Sequence, residues 1–177
     1  MRLFTAIDIS RDVKDSLDAL LGRLRPTADI NWSPVENLHV TTKFIGEWPE
    51  IRLQEMRNTL ARVPATGAID ISIRGLGWFP NPKNPRVFWA GVHAAESLSK
   101  LAAATEWATS SLGVPSETRP FSPHLTLARI RERVSLDGLH KTIAATGSDD
   151  FGSFQATAFF LYLSAGGKYT RLAEFSL

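Results

Sequence analysis

The strongest constraint on the fold of this chain is that its sequence is written twice. Arg2-Leu3-Phe4-Thr5-Ala6 is echoed by Arg86-Val87-Phe88-Trp89-Ala90, 84 residues further on. His39-Val40-Thr41-Thr42 is echoed by His124-Leu125-Thr126-Leu127 at an offset of 85, and Leu53, Met56 and Leu60 by Leu136, Leu139 and Ile143 at 83. Three matches in one order at a nearly constant offset argue for a duplicated unit. Such a chain folds into two similar halves, and a cleft between them is where equivalent residues meet.

Periodicity gives the unit's contents. Residues 3–9 and 87–93 are rich in β-formers and read as strands. Val13, Leu17, Leu20, Leu21 and Leu24 recur at helical spacing behind Ser10, a candidate N-cap. The matching helix runs from Glu96 to Leu112, with Leu98, Leu101, Ala102 and Leu112 as its apolar stripe, and Gly113 and Pro115 stop it. Each His-Thr segment is a short β-run behind a proline, Pro34 or Pro123, and a shorter helix follows near 50–63 and 134–146. Third strands close the units at Ile69–Ile73 and Phe154–Leu163, and a turn at Ala165-Gly166-Gly167 adds a last strand from Tyr169 to Phe175. The expected fold is α+β: a strand-helix-strand-helix-strand unit used twice, in one bilobal domain over 1–177 with units at about 1–80 and 84–177. The Pro80, Pro82 and Pro85 segment between them is an irregular loop too short for a flexible linker.

Composition narrows what such a fold can do. The chain has 177 residues, of which 44% are hydrophobic, enough to offset its ordering entropy in one domain. It has no cysteine, which removes disulfides, thiolate metal sites, iron–sulfur clusters and thiol nucleophiles, and suggests a reducing compartment. A net charge of +2 excludes a cationic nucleic-acid coat, so any RNA contact must be local. Asp8 stands where a signal peptide would be apolar, and the run Ala156–Ala165 is half the length a membrane helix needs. The sequence therefore reads as a soluble, cytoplasmic protein, expected to be a monomer without membrane contact.

The duplicated His-Thr strands carry the chemistry. Alternation points His39 and Thr41 to one face and Val40 to the other, as it does His124 and Thr126 against Leu125. A strand of this kind has one face in the core and the other in a cleft, and the pseudo-symmetry turns the two polar faces toward each other. Two facing imidazoles suit displacement at a phosphodiester, which needs a base on the entering side and an acid on the leaving side. With a reference pKa of ~6.5, one ring can be neutral while the other is charged. The threonine hydroxyls can donate to non-bridging phosphate oxygens. Lys43 shares the parity of His39 and Thr41, which makes it a candidate phosphate ligand. Arg129, five residues after His124, falls on the opposite face unless its strand is bulged.

Other chemistries lack their residues. There is no G-x-S-x-G elbow and no H-E-x-x-H, and Gly167-Lys168-Tyr169-Thr170 lacks the upstream glycine of a P-loop. Gly75-Leu76-Gly77 is a fragment of a dinucleotide fingerprint followed by Trp78-Phe79-Pro80 instead of a helix. Neither a metal nor a nucleotide cofactor is expected. His93 and His140 have no repeat partner and read as structural or surface residues.

The sequence resembles the two-histidine phosphoesterases, specifically the bacterial and archaeal RNA 2′,3′-cyclic phosphodiesterases, also known as 2′-5′ RNA ligases. The resemblance runs nearly end to end. It is carried by Arg2–Ile7, Asn37–Glu47, Gly77–Pro80, Pro85–Trp89 and Pro120–Arg129. It implies antiparallel sheets lining a central cleft with helices outside, no metal, and hydrolysis of a ribose 2′,3′-cyclic phosphate to a 2′-phosphate. It also implies reversible joining of 2′-5′ linkages in RNA. Carried over by motif, His39 and His124 are the acid–base pair, with His39 the acid, and Thr41 and Thr126 are phosphate ligands. Arg129 takes the family's basic position after the second motif. Thr42 departs from the apolar residue more usual there. Two other readings use the same residues: a relative acting on a small cyclic nucleotide or cyclic ADP-ribose phosphate, and a non-catalytic module that holds RNA ends with Trp32, Trp78 or Phe121 stacked on bases.

Overall fold

A computed structural model describes the chain from Met1 to Leu177. Nine strands and four α-helices follow in the order β1 (Arg2–Asp8), α1 (Arg11–Leu24), β2 (Asn31–Trp32), β3 (His39–Glu47), α2 (Leu53–Leu60), β4 (Ile69–Phe79), β5 (Val87–Ala94), α3 (Glu96–Ser110), β6 (His124–Arg129), α4 (Asp137–Ala144), β7 (Asp150–Ala156), β8 (Ala158–Ala165) and β9 (Lys168–Ser176). Two antiparallel sheets result, β3-β1-β8-β9 and β2-β6-β5-β4-β7. The fold is α+β, as the periodicity predicts. Local signals set the elements: the Ser10 hydroxyl accepts from the Val13 amide at 3.3 Å to cap α1, and Val13, Leu17, Leu20, Leu21 and Leu24 are all buried.

The sequence units and the sheets do not coincide. β1 and β3 of the first unit build the first sheet, but its third strand, β4, pairs with β5 in the second. Reciprocally, β8 of the second unit pairs with β1. The helices cross too: α1 packs on β7, and α3 packs on β3 and α2. Each half of the molecule therefore draws on both units.

The crossing explains the main departures from the sequence reading. The expected strand Phe154–Leu163 is two strands, β7 and β8, because the chain changes sheets at Thr157, whose carbonyl accepts from the Leu177 amide at 3.0 Å. β4 runs past Ile73 to Phe79 through an irregularity at Arg74-Gly75, where Gly75 takes φ +80°. Gly77 serves packing, since a β-carbon there would lie 2.1 Å from the Trp89 ring. The two-residue β2 is too short to leave a periodic signal.

Register also corrects the echo at the N-termini of the units. Ala6 pairs with Thr41 and Asp8 with His39, while Trp89 pairs with Thr126 and Gly91 with His124. The structural offset of β1 and β5 is therefore 83 residues, one less than the pentapeptide match suggests. A slip of one residue changes faces: Phe4 and Trp89 lie on the cleft side, and Thr5 and Phe88 are buried behind.

Candidate active site

β3 and β6, the two His-Thr strands, lie in contact. Val40 and Leu125 are fully buried while His39, Thr41, His124 and Thr126 are half-buried, which is the alternation expected of strands with one face in the core. The Nδ1–H of His39 donates to the Asn37 carbonyl at 2.6 Å, and that of His124 to the Ser122 carbonyl at 2.8 Å. A carbonyl can only accept, so each neutral ring carries its proton on Nδ1 and keeps Nε2 free. Both donors reach back two residues, so the halves orient their rings by one device.

A β-bulge in each strand decides what else joins the rings. In the first sheet Thr5 pairs with Lys43 and Ala6 with Thr41, so Thr42 is the extra residue. In the second, Phe88 pairs with Ala128 and Trp89 with Thr126, so Leu127 is the extra residue. After the bulge the face parity reverses. Arg129 thus returns to the side of His124 and Thr126, and the parity objection to it is removed.

The same reversal moves Lys43 away from the cleft, against the parity expectation. Its side chain is only 1% exposed; Nζ donates to the Pro115 carbonyl at 2.9 Å and pairs with Glu106 at 2.8 Å and Glu117 at 3.8 Å. Lys43 fastens β3 to α3 and to the loop leading toward His124. Thr42 faces inward as well, and its hydroxyl shares a 2.7 Å hydrogen bond with that of Thr5.

The surroundings of the two rings differ. His39 stacks on Phe4 at 4.7 Å and meets Tyr169 edge-on at 5.2 Å. Asp8, its cross-strand neighbour, accepts from the Tyr162 hydroxyl at 2.5 Å and from the Arg171 guanidinium. His124 meets Phe79 edge-on at 5.0 Å, with Gly91 in the place of Asp8 and Arg129 nearby. Burial holds the His39 imidazole below its ordinary value; the Asn37 hydrogen bond and the Asp8 carboxylate act the other way, while His124 and Arg129 lower it further. Burial also lowers His124, against its Ser122 bond and with the help of Arg129. That His39 senses both His124 and Arg129 brings the three into one electrostatic neighbourhood. Burial, with the bond to Asp8, pushes the Tyr162 hydroxyl up to about 12, so it stays a donor.

The sequence reading missed Phe4, Asp8, Phe79, Tyr162, Tyr169 and Arg171, which come from strands outside the two motifs. Only the repeat and the crossing of strands together could have placed them. Among the proposed stacking residues, Trp32 and Trp78 pack on Phe88 behind the cleft, and Phe121 is open in the loop before His124. His140 sits against Trp78, and His93 beside the Arg74 carbonyl. No group of three or more His, Asp or Glu side chains with metal-binding geometry comes together, and no helix is long and apolar enough to cross a membrane.

Two layers of antiparallel sheet presenting paired H-x-T strands define a two-histidine phosphoesterase. A family model described as LigT like Phosphoesterase matches residues 7–89. An RNA 2′,3′-cyclic phosphodiesterase of Methanothermobacter thermautotrophicus is 31% identical, over all of this chain and 99% of its own length. One of Methanocaldococcus jannaschii is 33% identical over 93% of this chain and 91% of its own. The crystal structure of TT0787 of Thermus thermophilus superposes with a TM-score of 0.80 at 30% identity, covering 100% of this chain and 98% of the other. The chain belongs to the family of LigT-like RNA 2′,3′-cyclic phosphodiesterases.

Proposed function

We propose that the protein hydrolyses the 2′,3′-cyclic phosphate at an RNA end to a 2′-phosphate, by acid–base catalysis with His39 and His124 and without a metal ion. The observation that carries this reading is the pair of mirrored imidazoles, each with Nδ1 tied to a carbonyl and Nε2 free. Neutral His124 takes a proton from water through Nε2 as the water oxygen attacks phosphorus. Protonated His39 gives its Nε2 proton to O3′ as the P–O3′ bond breaks, leaving the phosphate on O2′. Thr41, Thr126 and Arg129 hold the non-bridging oxygens, where charge is borne in the transition state. With an RNA 5′-hydroxyl in place of water, the same steps form a 2′-5′ linkage, and run backwards they cleave it.

Burial holds both rings low and Arg129 lowers both, so the roles are assigned on the one difference: the Asp8 carboxylate favours a charged His39, and His124 has no such neighbour. The test is turnover of cyclic-phosphate RNA and of a cyclic mononucleotide by purified protein with a strong chelator present. Each His→Ala variant is expected to lose at least ~10²-fold in rate. Wild-type turnover by His124→Ala, or activity that vanishes in chelator and returns with added metal, would reject the proposal. A preference for the mononucleotide over RNA would reassign the substrate to the small cyclic nucleotides. The working form is proposed to be a monomer in the cytoplasm.

A further inference from the structure

On the proposed mechanism, on which this inference rests, the two sides of the cleft receive different things. The group that attacks phosphorus enters on the side of His124, and O3′ leaves on the side of His39. When RNA ends are joined, the attacking group is a 5′-hydroxyl. Its oxygen bonds to phosphorus, its proton passes to Nε2 of His124, and O3′ takes the proton of His39 as the P–O3′ bond breaks. The strand that carries this hydroxyl continues away from phosphorus past His124. Its first phosphates therefore lie over whatever borders that side of the cleft.

That border is a rim of unpaired cations. Phe79, edge-on to His124, ends β4, and its carbonyl accepts from the Arg86 amide at 2.7 Å to close the loop 80–86. The loop is itself ordered, since Asn81 Oδ1 accepts from the Lys83 and Asn84 amides at 3.0 Å. Arg86 reaches across to the segment after β6: its guanidinium donates to the Arg131 carbonyl at 3.3 Å, and its carbonyl accepts from the Ile130 amide at 2.9 Å. Lys83, Arg86, Arg131 and Arg133 are thereby gathered beyond Arg129, all four exposed, with Glu132 as the one carboxylate of the two segments. None of the four forms an ion pair. On the His39 side, by contrast, Lys14 is paired with Glu36 and Arg171 with Asp8. The whole chain carries only +2, so these four cations against one carboxylate leave the rest of the molecule with a net negative charge. Nor does the fold require them: at the offsets that align β5 with β1 and β6 with β3, Arg86, Arg131 and Arg133 stand where the first half has Leu3, Gly46 and Trp48. Exposed, unpaired Lys and Arg side chains are the usual partners of backbone phosphates. We infer that this rim holds the phosphates of the RNA strand that ends in a 5′-hydroxyl, a docking surface that 2′-5′ joining and cleavage use and hydrolysis does not.

The experiment compares the wild type with the triple variant Lys83→Gln, Arg131→Gln, Arg133→Gln, which leaves Arg86 and its backbone bonds in place. Turnover is measured on adenosine 2′,3′-cyclic phosphate, on an oligoribonucleotide ending in a 2′,3′-cyclic phosphate, and on one containing a single 2′-5′ linkage. Binding of a 5′-hydroxyl oligoribonucleotide without a cyclic phosphate is measured against salt. In the variant, kcat/KM for cleavage of the 2′-5′ linkage should fall ~10-fold or more at low salt, and the slope of log affinity on log salt should become shallower by ~2, at ~0.7 for each lost contact to single-stranded RNA. Hydrolysis of the cyclic mononucleotide and the melting temperature should stay at wild-type values. Equal losses on the mononucleotide and the 2′-5′ linkage, or an unchanged salt slope, would overturn the docking surface. A loss on the cyclic-phosphate oligonucleotide as large as that on the 2′-5′ linkage would put the other strand on the rim and overturn it too. A wild type that hydrolyses cyclic phosphates but leaves 2′-5′ linkages intact would overturn the docking surface while the hydrolysis stands. Absence of wild-type turnover on all three would instead remove the proposed function.

Discussion

The His39 and His124 halves of the cleft share a backbone and differ in what surrounds it. Both place histidine, then threonine, on a strand bulged just after them, and both anchor Nδ1 on a carbonyl two residues back. The equivalences then diverge. Asp8 stands opposite Gly91, Phe4 opposite Val87, and Phe44 opposite Arg129, since Phe4 pairs with Phe44 and Val87 with Arg129. A symmetric scaffold thus carries an asymmetric set of charges, with the Asp8–Arg171 ion pair by one ring and Arg129 by the other. On the proposed mechanism, duplication accounts for two identical groups facing one phosphorus, and the divergence for their opposite jobs.

The sharpest way to break that comparison is to remove the charge on one side. Arg129→Gln should lower kcat/KM by ~10² to 10³, the scale for losing one donor to transition-state charge. Phe44→Ala, at the equivalent place and 55% exposed, should change it far less. Equal losses would mean that position 129 contributes shape and not charge.

Next in size is the division of faces within one strand. Thr126→Val keeps the shape and removes a hydroxyl, so turnover should fall ~10-fold or more with little change in melting temperature. Leu125→Ala, by contrast, should cost ~2 to 5 kcal/mol of stability while the folded fraction remains active. Thermal melts and turnover on the same preparations separate the two; the reverse pattern would put the cleft on the wrong face of β6.

The bulges show where sequence reasoning reaches its limit. Alternation put His39, Thr41, His124 and Thr126 on the open face of their strands, because two pleats from each histidine the strand is still regular. It misjudged Lys43 and doubted Arg129 for a single reason: one inserted residue reverses parity, and nothing in the Thr42 or Leu127 side chains announces it. Helices with clear apolar stripes, α1 and α3, were legible. The exchange of β4 and β8 between the sheets was not, because pairing partners 80 residues away leave no local trace. With it went the residues that the exchange delivers to the site, such as Tyr162 and Tyr169.

Lys43 sharpens the comparison from outside the cleft. Lys43→Met strands Glu106 and Glu117 beside the Pro115 carbonyl, and since both carboxylates keep some access to water, about 1 to 3 kcal/mol of stability should be lost. Turnover by the folded protein at low temperature should stay within a few-fold of wild type. A loss as large as that of Arg129→Gln with an unchanged melting temperature would return Lys43 to the list of phosphate ligands.

The smallest expected effect tests the origin of the asymmetry itself. His39 is faced by Asp8 from β1, Tyr162 from β8, Tyr169 and Arg171 from β9, the Lys14–Glu36 pair in the pocket beside the ring, and His124 and Arg129 across the cleft. Among these Asp8 is the carboxylate that raises its proton affinity, and Asp8 also occupies Arg171. Asp8→Asn removes that carboxylate and frees Arg171, and both changes disfavour a charged His39. Its pKa in the free enzyme must then fall. If His39 is the acid, it has to be protonated to work, so its titration is the alkaline limb of kcat/KM against pH; that limb should move toward acid while the limb of His124 stays. If His39 is instead the base, the limb that moves is the acidic one, and the variant gains activity at low pH. The two outcomes move opposite sides of the same bell, so a single pH profile of Asp8→Asn decides which half of the duplicated cleft gives the proton and which takes it.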